Sequence, residues 1–403
     1  MGIANTQRVS PVHKRGSKTL PSKYRPVSVV DNLSAVFEDT VKPQFEAWAI
    51  QVVPDWQYGF ISGCGTDDYG AALTLKIQDC LERRKQGALI ATDIRGAFDR
   101  CWWARMKARL KKKGLRKRAL RLIKSYLFKR FLKVVAQGKE SSLKELFSSV
   151  PQGGKWSSFL FDIDISELGD CLSAEVVPYG YADDVALWYE IPDDFDHFIT
   201  TAVINQDLIA LKAWGDDNKT TFEPEKMSVM VVSQRREPFD ASGIIFDNEE
   251  LCVVDDTTLV GLKIDKRMRW GLMVDKIATK ARQRIGALSR VRHLLDSDNL
   301  RTIYVMFIRS IMEYNSVSWM GAADSHLHKL DRVQCMAQRI GCFTVVPLQA
   351  RREAAAMALA LKLLDGRGRG ELNQFTPALT EPLKLLINSV KSEQGKRLKA
   401  SRL

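Results

Sequence analysis

An α+β fold is what the 403-residue sequence predicts, with a mixed core over residues 24–264 and an all-helical basic segment behind it. Three observations predict it. Short apolar or β-branched runs alternate with helical periodicities as far as residue 264. One pair of adjacent acids, Asp183-Asp184, has strand-like sequence on both sides. From residue 269 to about 342 the spacing of apolar residues is helical throughout.

In chain order, residues 1–23 are polar and basic, with Lys14, Arg15, Lys18 and Lys23. Residues 24–30 read as a short strand entered through Pro26. Leu33, Val36, Phe37, Val41, Phe45 and Trp48 recur at helical spacing, so a helix is expected over 33–48 with that stripe inward. A Gly-rich loop over 56–65 holds Tyr58-Gly59-Phe60, and a second helix is expected over 66–86. Ala88-Leu89-Ile90-Ala91-Thr92-Asp93-Ile94 is an apolar strand that ends in an acid. Such a strand places a carboxylate on a rigid element; a helix cap at Asp93 is an equally good reading. After a basic stretch, Val150-Pro151-Gln152-Gly153-Gly154 gives a strand end and a paired-glycine turn ahead of a helix reaching Leu168. Backbone N–H groups can approach a phosphate, base or sugar closely at such a turn.

Five Asp-Asp pairs occur, at residues 67, 183, 193, 216 and 255. Four fit caps or solvated turns, Asp216-Asp217 being expected in a Gly/Asn turn. Asp183-Asp184 alone lies between apolar strands, 176–182 and 185–188, which predicts a hairpin with two carboxylates at its tip. Two such acids repel unless a cation sits between them, and hard divalent cations take carboxylate oxygens together with substrate phosphates. A helix is expected over 195–214, followed by Lys226 leading into a strand, and two more strands at 250–254 and 257–264. Beyond them Ile277, Ala281, Ile285, Leu288, Val291 and Leu295 form one stripe, opposed by Lys276, Lys280, Arg282, Arg284, Arg290 and Arg292. Asp365-Gly366-Arg367-Gly368-Arg369-Gly370 reads as a flexible linker.

The net charge is +13, and residues 105–133 carry fourteen Lys/Arg and no acid. Leu110, Leu115, Leu120, Ile123, Tyr126, Leu127 and Phe131 within that stretch have near-helical spacing, so one or two helices with an apolar face are expected. Such a concentration of cations implies a polyanionic partner. No apolar run reaches the roughly 18 residues of a bilayer span, so no membrane partner is expected. Seven scattered cysteines without a Cys-x-x-Cys imply a reducing compartment, nuclear or cytoplasmic. Met1-Gly2-Ile3-Ala4-Asn5-Thr6 matches a short, common myristoylation pattern.

Taken in order, these segments resemble a reverse transcriptase of the non-LTR retrotransposon type, LINE- or jockey-like. Val12-His13-Lys14-Arg15-Gly16 with Tyr24-Arg25-Pro26-Val27-Ser28 resembles the family's opening motif. Tyr58-Gly59-Phe60 with Gly65-Thr66-Asp67-Asp68 resembles the next. Residues 93–99 are similar to palm motif A, Val150-Pro151-Gln152-Gly153 to motif B, Tyr181-Ala182-Asp183-Asp184 to motif C and residues 214–232 to motif D. Residues 259–270 are similar to the primer grip. The likeness covers roughly residues 9–345, and seven motifs in one order are far more specific than any one. The sequence departs from the family's usual pattern at Ile61-Ser62, where a basic residue is usual, and at Ser158, where proline is usual.

The resemblance implies an α+β right-hand polymerase. Fingers and the N-terminal segment would occupy 1–92. The palm, with the basic insertion at 105–133 and the primer grip, would occupy 93–270, a helical thumb 271–345 and a C-terminal tail 346–403. It implies an RNA-directed DNA polymerase that adds dNTPs to a DNA primer on an RNA template. Asp93, Asp183 and Asp184 would hold two Mg²⁺, with Mn²⁺ as a possible substitute. Lys14 and Arg25 would reach the triphosphate, and Gln152 and Gly153 the nucleotide and template. Phe98 would either exclude a 2′-hydroxyl or be plain core packing, and Lys226 would be a proton donor to pyrophosphate or a surface lysine. Lys276, Lys280, Arg282 and Arg284 would ride the duplex backbone. His326, His328, Cys335 and Cys342 form at best a weak metal set. An endonuclease, a zinc knuckle and an RNase H-like acidic set are not found, which suggests a piece of a larger polyprotein. The alternatives are an inactive retroelement fragment that only binds nucleic acid and an RNA-templated RNA polymerase.

Overall fold

The computed structural model describes residues 6–14 and 16–375. The myristoylation pattern through residue 5, Arg15 and residues 376–403 of the expected tail lie outside the described residues. The chain forms two compact units: one takes residues up to 62, 88–229 and 239–253, and the other 63–87, 230–238 and 254 onward.

Along the chain the elements are β1 (Thr6–His13), β2 (Tyr24–Val29), α1 (Asn32–Val52), α2 (Thr66–Glu82), β3 (Gln86–Arg95), α3 (Ala97–Arg100), α4 (Trp103–Lys112) and α5 (Lys117–Leu127). Then come β4 (Arg130–Ala136), β5 (Lys139–Glu140), β6 (Lys144–Leu146), α6 (Ser157–Ile165), β7 (Val176–Tyr181), β8 (Asp184–Ile191) and α7 (His197–Asn218). Short strands β9 (Thr221–Phe222), β10 (Ser228–Val232), β11 (Ile245–Phe246), β12 (Glu249–Glu250) and β13 (Cys252–Val253) follow, then the hairpin β14 (Asp256–Leu259) and β15 (Leu262–Asp265). The rest is helical: α8 (Gly271–Val291), α9 (Ser297–Ile303), α10 (Ser310–Glu313), α11 (Ser316–Trp319), α12 (Asp324–Gly341) and α13 (Leu348–Leu364).

The first unit is organised by a sheet of order β13-β10-β3-β8-β7, with β9 also pairing β3. Ala88, Leu89 and Ile90 of β3 have no exposure, which is why their sequence is a continuous apolar run rather than an alternating one. Helix α6 is buried all round through Phe159, Leu160, Phe161, Ile163 and Ile165. A second sheet has the order β2-β1-β4-β5, with β1 antiparallel to β2 and parallel to β4.

Several expectations change here. Phe131 is not helical. Helix α5 stops at Leu127, Lys129 turns left-handed at φ 50°, and Phe131 pairs with Thr6 in β4. The Val134-Val135 pair in the same strand suits a pleated surface. Helix α1 forms as expected, but Leu33, Val36 and Phe37 are 81%, 64% and 49% exposed, so only the later part of its stripe is core. Asp216-Asp217 is not in a turn: α7 runs through it to Asn218, where Lys219 ends the helix in the left-handed region. Asn218 makes this possible, because its buried amide donates to Trp214 O at 2.6 Å and accepts from Arg109 at 2.5 Å.

The second unit contains α2, the β14–β15 hairpin and helices α8 to α13. Ile277, Ala281, Ile285 and Leu288 of the expected stripe are buried, whereas Val291 at the end of α8 is 40% exposed. Part of the expected tail is the ordered helix α13, tied to Glu313 through Arg351 at 3.0 Å. The expected flexible linker is packed only in its later part, residues 365–367 being exposed. Arg369 is 7% exposed, Leu372 is fully buried, and Glu371 pairs with Lys76 of α2 at 3.3 Å. No helix among the described residues is long and apolar enough to cross a membrane.

Candidate active site

The acidic hairpin forms as its sequence requires. β7 and β8 pair from Val176↔Tyr189 to Tyr181↔Asp184, leaving Ala182 and Asp183 as a two-residue turn. Ala182 sits at φ 58°, a region that costs a residue with a β-carbon about 1–2 kcal/mol. Such a conformation persists where its surroundings over-determine it, and Gln57 does so. Its fully buried amide accepts from Ala182 N at 3.0 Å and donates to Ala182 O at 3.1 Å, while Gly59 N donates to the same Oε1 at 2.8 Å. Tyr58 N donates to Gly180 O and Gly180 N to Trp56 O, both at 2.8 Å. A β-carbon on Gly59 would lie 2.3 Å from Ala182 N, so only glycine allows this approach. Sequence reading took residues 56–65 as a Gly-rich loop and missed Gln57. The available signal was a glycine beside a polar residue within that loop, which does not say what the pair will meet.

Strand order solves the distance between Asp93 and Asp183 in sequence. β3 and β8 are neighbours, and Thr92 Oγ1 donates to Val185 O at 2.8 Å, so the end of β3 lies against the start of β8. The Asp93 carboxylate accepts from Lys226 Nζ at 2.8 Å, and Lys226 also pairs with Glu223. Burial lowers the Lys226 pKa, and its hydrogen bonds to Asp93 and Glu223 more than offset this, so the ammonium is raised above its ordinary value. The Asp183 carboxyl is raised by loss of water around it and by the Asp93 charge, against the opposing pull of its own N–H, Arg25 and Lys14.

A cleft of about 890 Å³ opens at this point, lined by Lys14, Arg25, Asp93, Phe98, Gln152, Gly153, Asp183 and Lys226 among others. Eight of the sequence-predicted residues therefore meet in one place. Asp184 does not line the cleft; it is half-buried at the start of β8. Among the described residues no three Asp, Glu, His or Cys side chains are gathered to hold a metal. That covers His326, His328, Cys335 and Cys342; His328 instead faces Asp331 at 3.3 Å.

Phe98 lies on Phe161, with ring centroids 4.9 Å apart, and meets Phe60 edge-on at 6.0 Å. It is thus core packing on one side and cleft wall on the other. Gln152 O accepts from Ser28 N at 2.7 Å, and its amide donates to Asp99 Oδ1 at 2.9 Å. Asp99 was not singled out from sequence; its carboxyl is raised by burial, against that hydrogen bond and the Lys14 charge. Gly153 has φ 122°, and a β-carbon there would lie 2.6 Å from Ser28 O. Its glycine is demanded by this backbone approach.

The four cations of α8 belong to the other unit and lie on its exposed face. Lys276 donates to Gly261 O at 3.3 Å, and burial followed by the Lys263 and Lys280 charges lowers its pKa. Arg284 bonds Phe307 O.

The family model described as reverse transcriptase (RNA-dependent DNA polymerase) matches residues 12–264, and the chain belongs to this family. Its right-hand polymerase architecture is the family's, a mixed sheet carrying the acidic hairpin with helices around it. Within the family the sequence is of the non-LTR transposon type. It is 24% identical to the probable RNA-directed DNA polymerase from transposon BS and 24% identical to that from transposon X-element, both of Drosophila melanogaster. To the RNA-directed DNA polymerase from mobile element jockey of the same fly it is 22% identical. These matches take in 81%, 83% and 81% of this chain, which spans only 36–37% of the length of these relatives. Among solved structures, apo telomerase from Candida tropicalis is similar at TM-score 0.46 and 10% identity, over 83% of this chain and 57% of that one.

Enzymes of this family work with divalent metal ions. The side chains here fit such an ion: Asp93 and Asp183 present hard oxygens to one cleft, where a cation would relieve the Asp93 charge that helps raise the Asp183 carboxyl.

Proposed function

We propose that this chain is an RNA-directed DNA polymerase that adds dNTPs to a DNA primer on an RNA template. The observation that carries the reading is the meeting of Asp93 and Asp183 with the cations Lys14 and Arg25 in one cleft above Phe98. Asp93 and Asp183, with Asp184 at the start of β8, would hold two Mg²⁺ ions. When bound, these ions lower the pKa of the primer 3′-hydroxyl and offset charge on the leaving pyrophosphate.

The protein's own share is positioning and electrostatics. Arg25, a planar guanidinium on β2, can grip the triphosphate in a bidentate manner, with Lys14 as a point charge beside it. Phe98 is braced by Phe161 and cannot yield to a 2′-hydroxyl. Gln152, oriented by Asp99, presents its carbonyl to the nucleotide. Lys226 holds Asp93 and, protonated, stands ready to donate to the leaving group once that pair opens. The test is Mg²⁺-dependent dNTP incorporation on an RNA template with a DNA primer. Incorporation that prefers NTPs, or that survives Asp183→Asn, would overturn the reading.

A second reading is a chain that binds nucleic acid without turnover. It is favoured by Asp184 standing outside the cleft and by Lys226 occupying the Asp93 carboxylate. Salt-dependent RNA affinity without incorporation would support it.

A further inference from the structure

We propose that the outer face of α4 and α5 is a docking surface for single-stranded RNA, separate from the cleft that holds Asp93 and Asp183. The choice of RNA rests on the function proposed above; the surface itself rests on how the fold sorts the fourteen cations of residues 105–133.

Five of them are used internally. Arg109 is 2% exposed and bonds Asp164, Glu167 and Asn218. Lys112 pairs with Glu167 at 2.8 Å, and Lys113 donates to Val52 O at 2.9 Å. Arg130 is buried over the Tyr126 ring at 4.8 Å, and Lys133 pairs with Glu140 at 2.5 Å. Arg105 is half-buried, and the other eight are exposed: Lys107 and Lys111 on α4, Arg116 to Arg118, Arg121 and Lys124 on or beside α5, and Lys129 after it. None of the eight is in an ion pair among the described residues, and none lines the catalytic cleft.

Lys107 and Lys111, like Lys117 and Arg121, stand one helical turn apart, where like charges destabilise a helix by about 0.2–0.5 kcal/mol per pair. The fold tolerates that repulsion without an ion pair to these four among the described residues. Between the two helices lies an apolar groove of about 170 Å³, walled by Trp103, Leu120, Ile123 and the half-exposed Phe128, with Lys107 on one bank and Lys124 on the other. Apolar and aromatic walls between rows of cations suit a single strand, whose phosphates meet the banks while a base enters the groove. A duplex keeps its base faces stacked and has nothing to offer the groove. An acidic membrane surface has charge but no flat ring to insert.

The experiment follows a labelled single-stranded RNA of about 20 nucleotides binding to the full chain across a salt series, without metal or dNTP. The combined variant Lys117→Glu/Arg118→Glu/Arg121→Glu/Lys124→Glu should lose about tenfold or more in affinity. Its slope of log K against log salt should be shallower by about 2 to 3. Phe128→Ala should lose about fivefold or more with little change in slope. Both variants should still extend a short primer–template within about twofold. Four outcomes would overturn the proposal: affinity and slope unchanged in the quadruple variant; equal competition by duplex RNA; loss of binding to phosphatidylserine vesicles with RNA binding intact; or loss of short-template extension in parallel with RNA affinity. If the chain extends no primer at all, the proposed polymerase activity fails while this binding measurement still reads.

Discussion

Asp67-Asp68 and Asp183-Asp184 are the same dipeptide in two settings, and the fold uses them in opposite ways. In the first pair the acids are consumed by structure. Asp68 accepts from Gly65 N at 2.7 Å at the start of α2 and pairs with Lys362, which also donates to Gly63 O at 2.5 Å. Asp67 is raised by burial and by the Asp68 charge, against a backbone hydrogen bond from Asn315. In the second pair Asp183 stands on a strained two-residue turn and opens into a cleft. The cap lowers the energy of its own helix, whereas the hairpin carries strain and sets the Asp183 carboxyl at a cleft. Identical side chains are closed into a helix start or opened to a cleft according to what packs around them.

The comparison breaks most visibly if both pairs respond alike to neutralisation. Asp183→Asn should lower dNTP incorporation by about 10³-fold, the scale of removing a charge-stabilising group, while Asp67→Asn stays within about twofold. Equal losses in a single-nucleotide incorporation assay would erase the distinction. Next in size is the clamp on the strained turn. Gln57→Ala should reduce kcat by about 10- to 100-fold, as for groups that orient metal ligands. The dNTP KM should change little, because Gln57 is fully buried behind the tip. A shift in KM alone would assign Gln57 to binding instead.

A smaller effect is expected at the cleft wall. Phe98→Ala should narrow the preference for dNTP over NTP by about tenfold, in the range set by filling or emptying an apolar pocket. Unchanged selectivity would leave Phe98 with only its packing on Phe161. Smallest of all, Asp68→Ala should leave incorporation within about twofold and lower stability by about 1–2 kcal/mol, the scale of losing a helix cap. Thermal unfolding reads the second number, and a large loss of activity at unchanged stability would mean that the first pair is functional after all.

Much of the site was legible because its parts are local. The apolar run ending at Asp93, the strand-flanked acids and the paired glycines each announce themselves within a dozen residues. Gln57 and Asp99 were not legible, because their partners Ala182 and Gln152 lie 125 and 53 residues away. Gly153 was legible as a glycine but not for its reason, which is the Ser28 carbonyl of a strand far upstream. Arg109 looked like one cation among fourteen until its burial against Asp164 and Glu167 removed it from the surface. The ordered helix α13 and the packing of residues 369–372 were hidden by a glycine-rich composition that reads as a linker.

The sequence alone determined which acids stand at strand ends and turns, through strand propensity and turn chemistry acting over short range. It also determined the excess of positive charge, since composition sets net charge regardless of fold. Only the tertiary structure decided that β3 and β8 are neighbours, that Asp184 is half-buried while Asp93 and Asp183 line the cleft, and which basic residues remain exposed. Those outcomes depend on contacts between residues distant in sequence, where burial and hydrogen-bond satisfaction outweigh local preference.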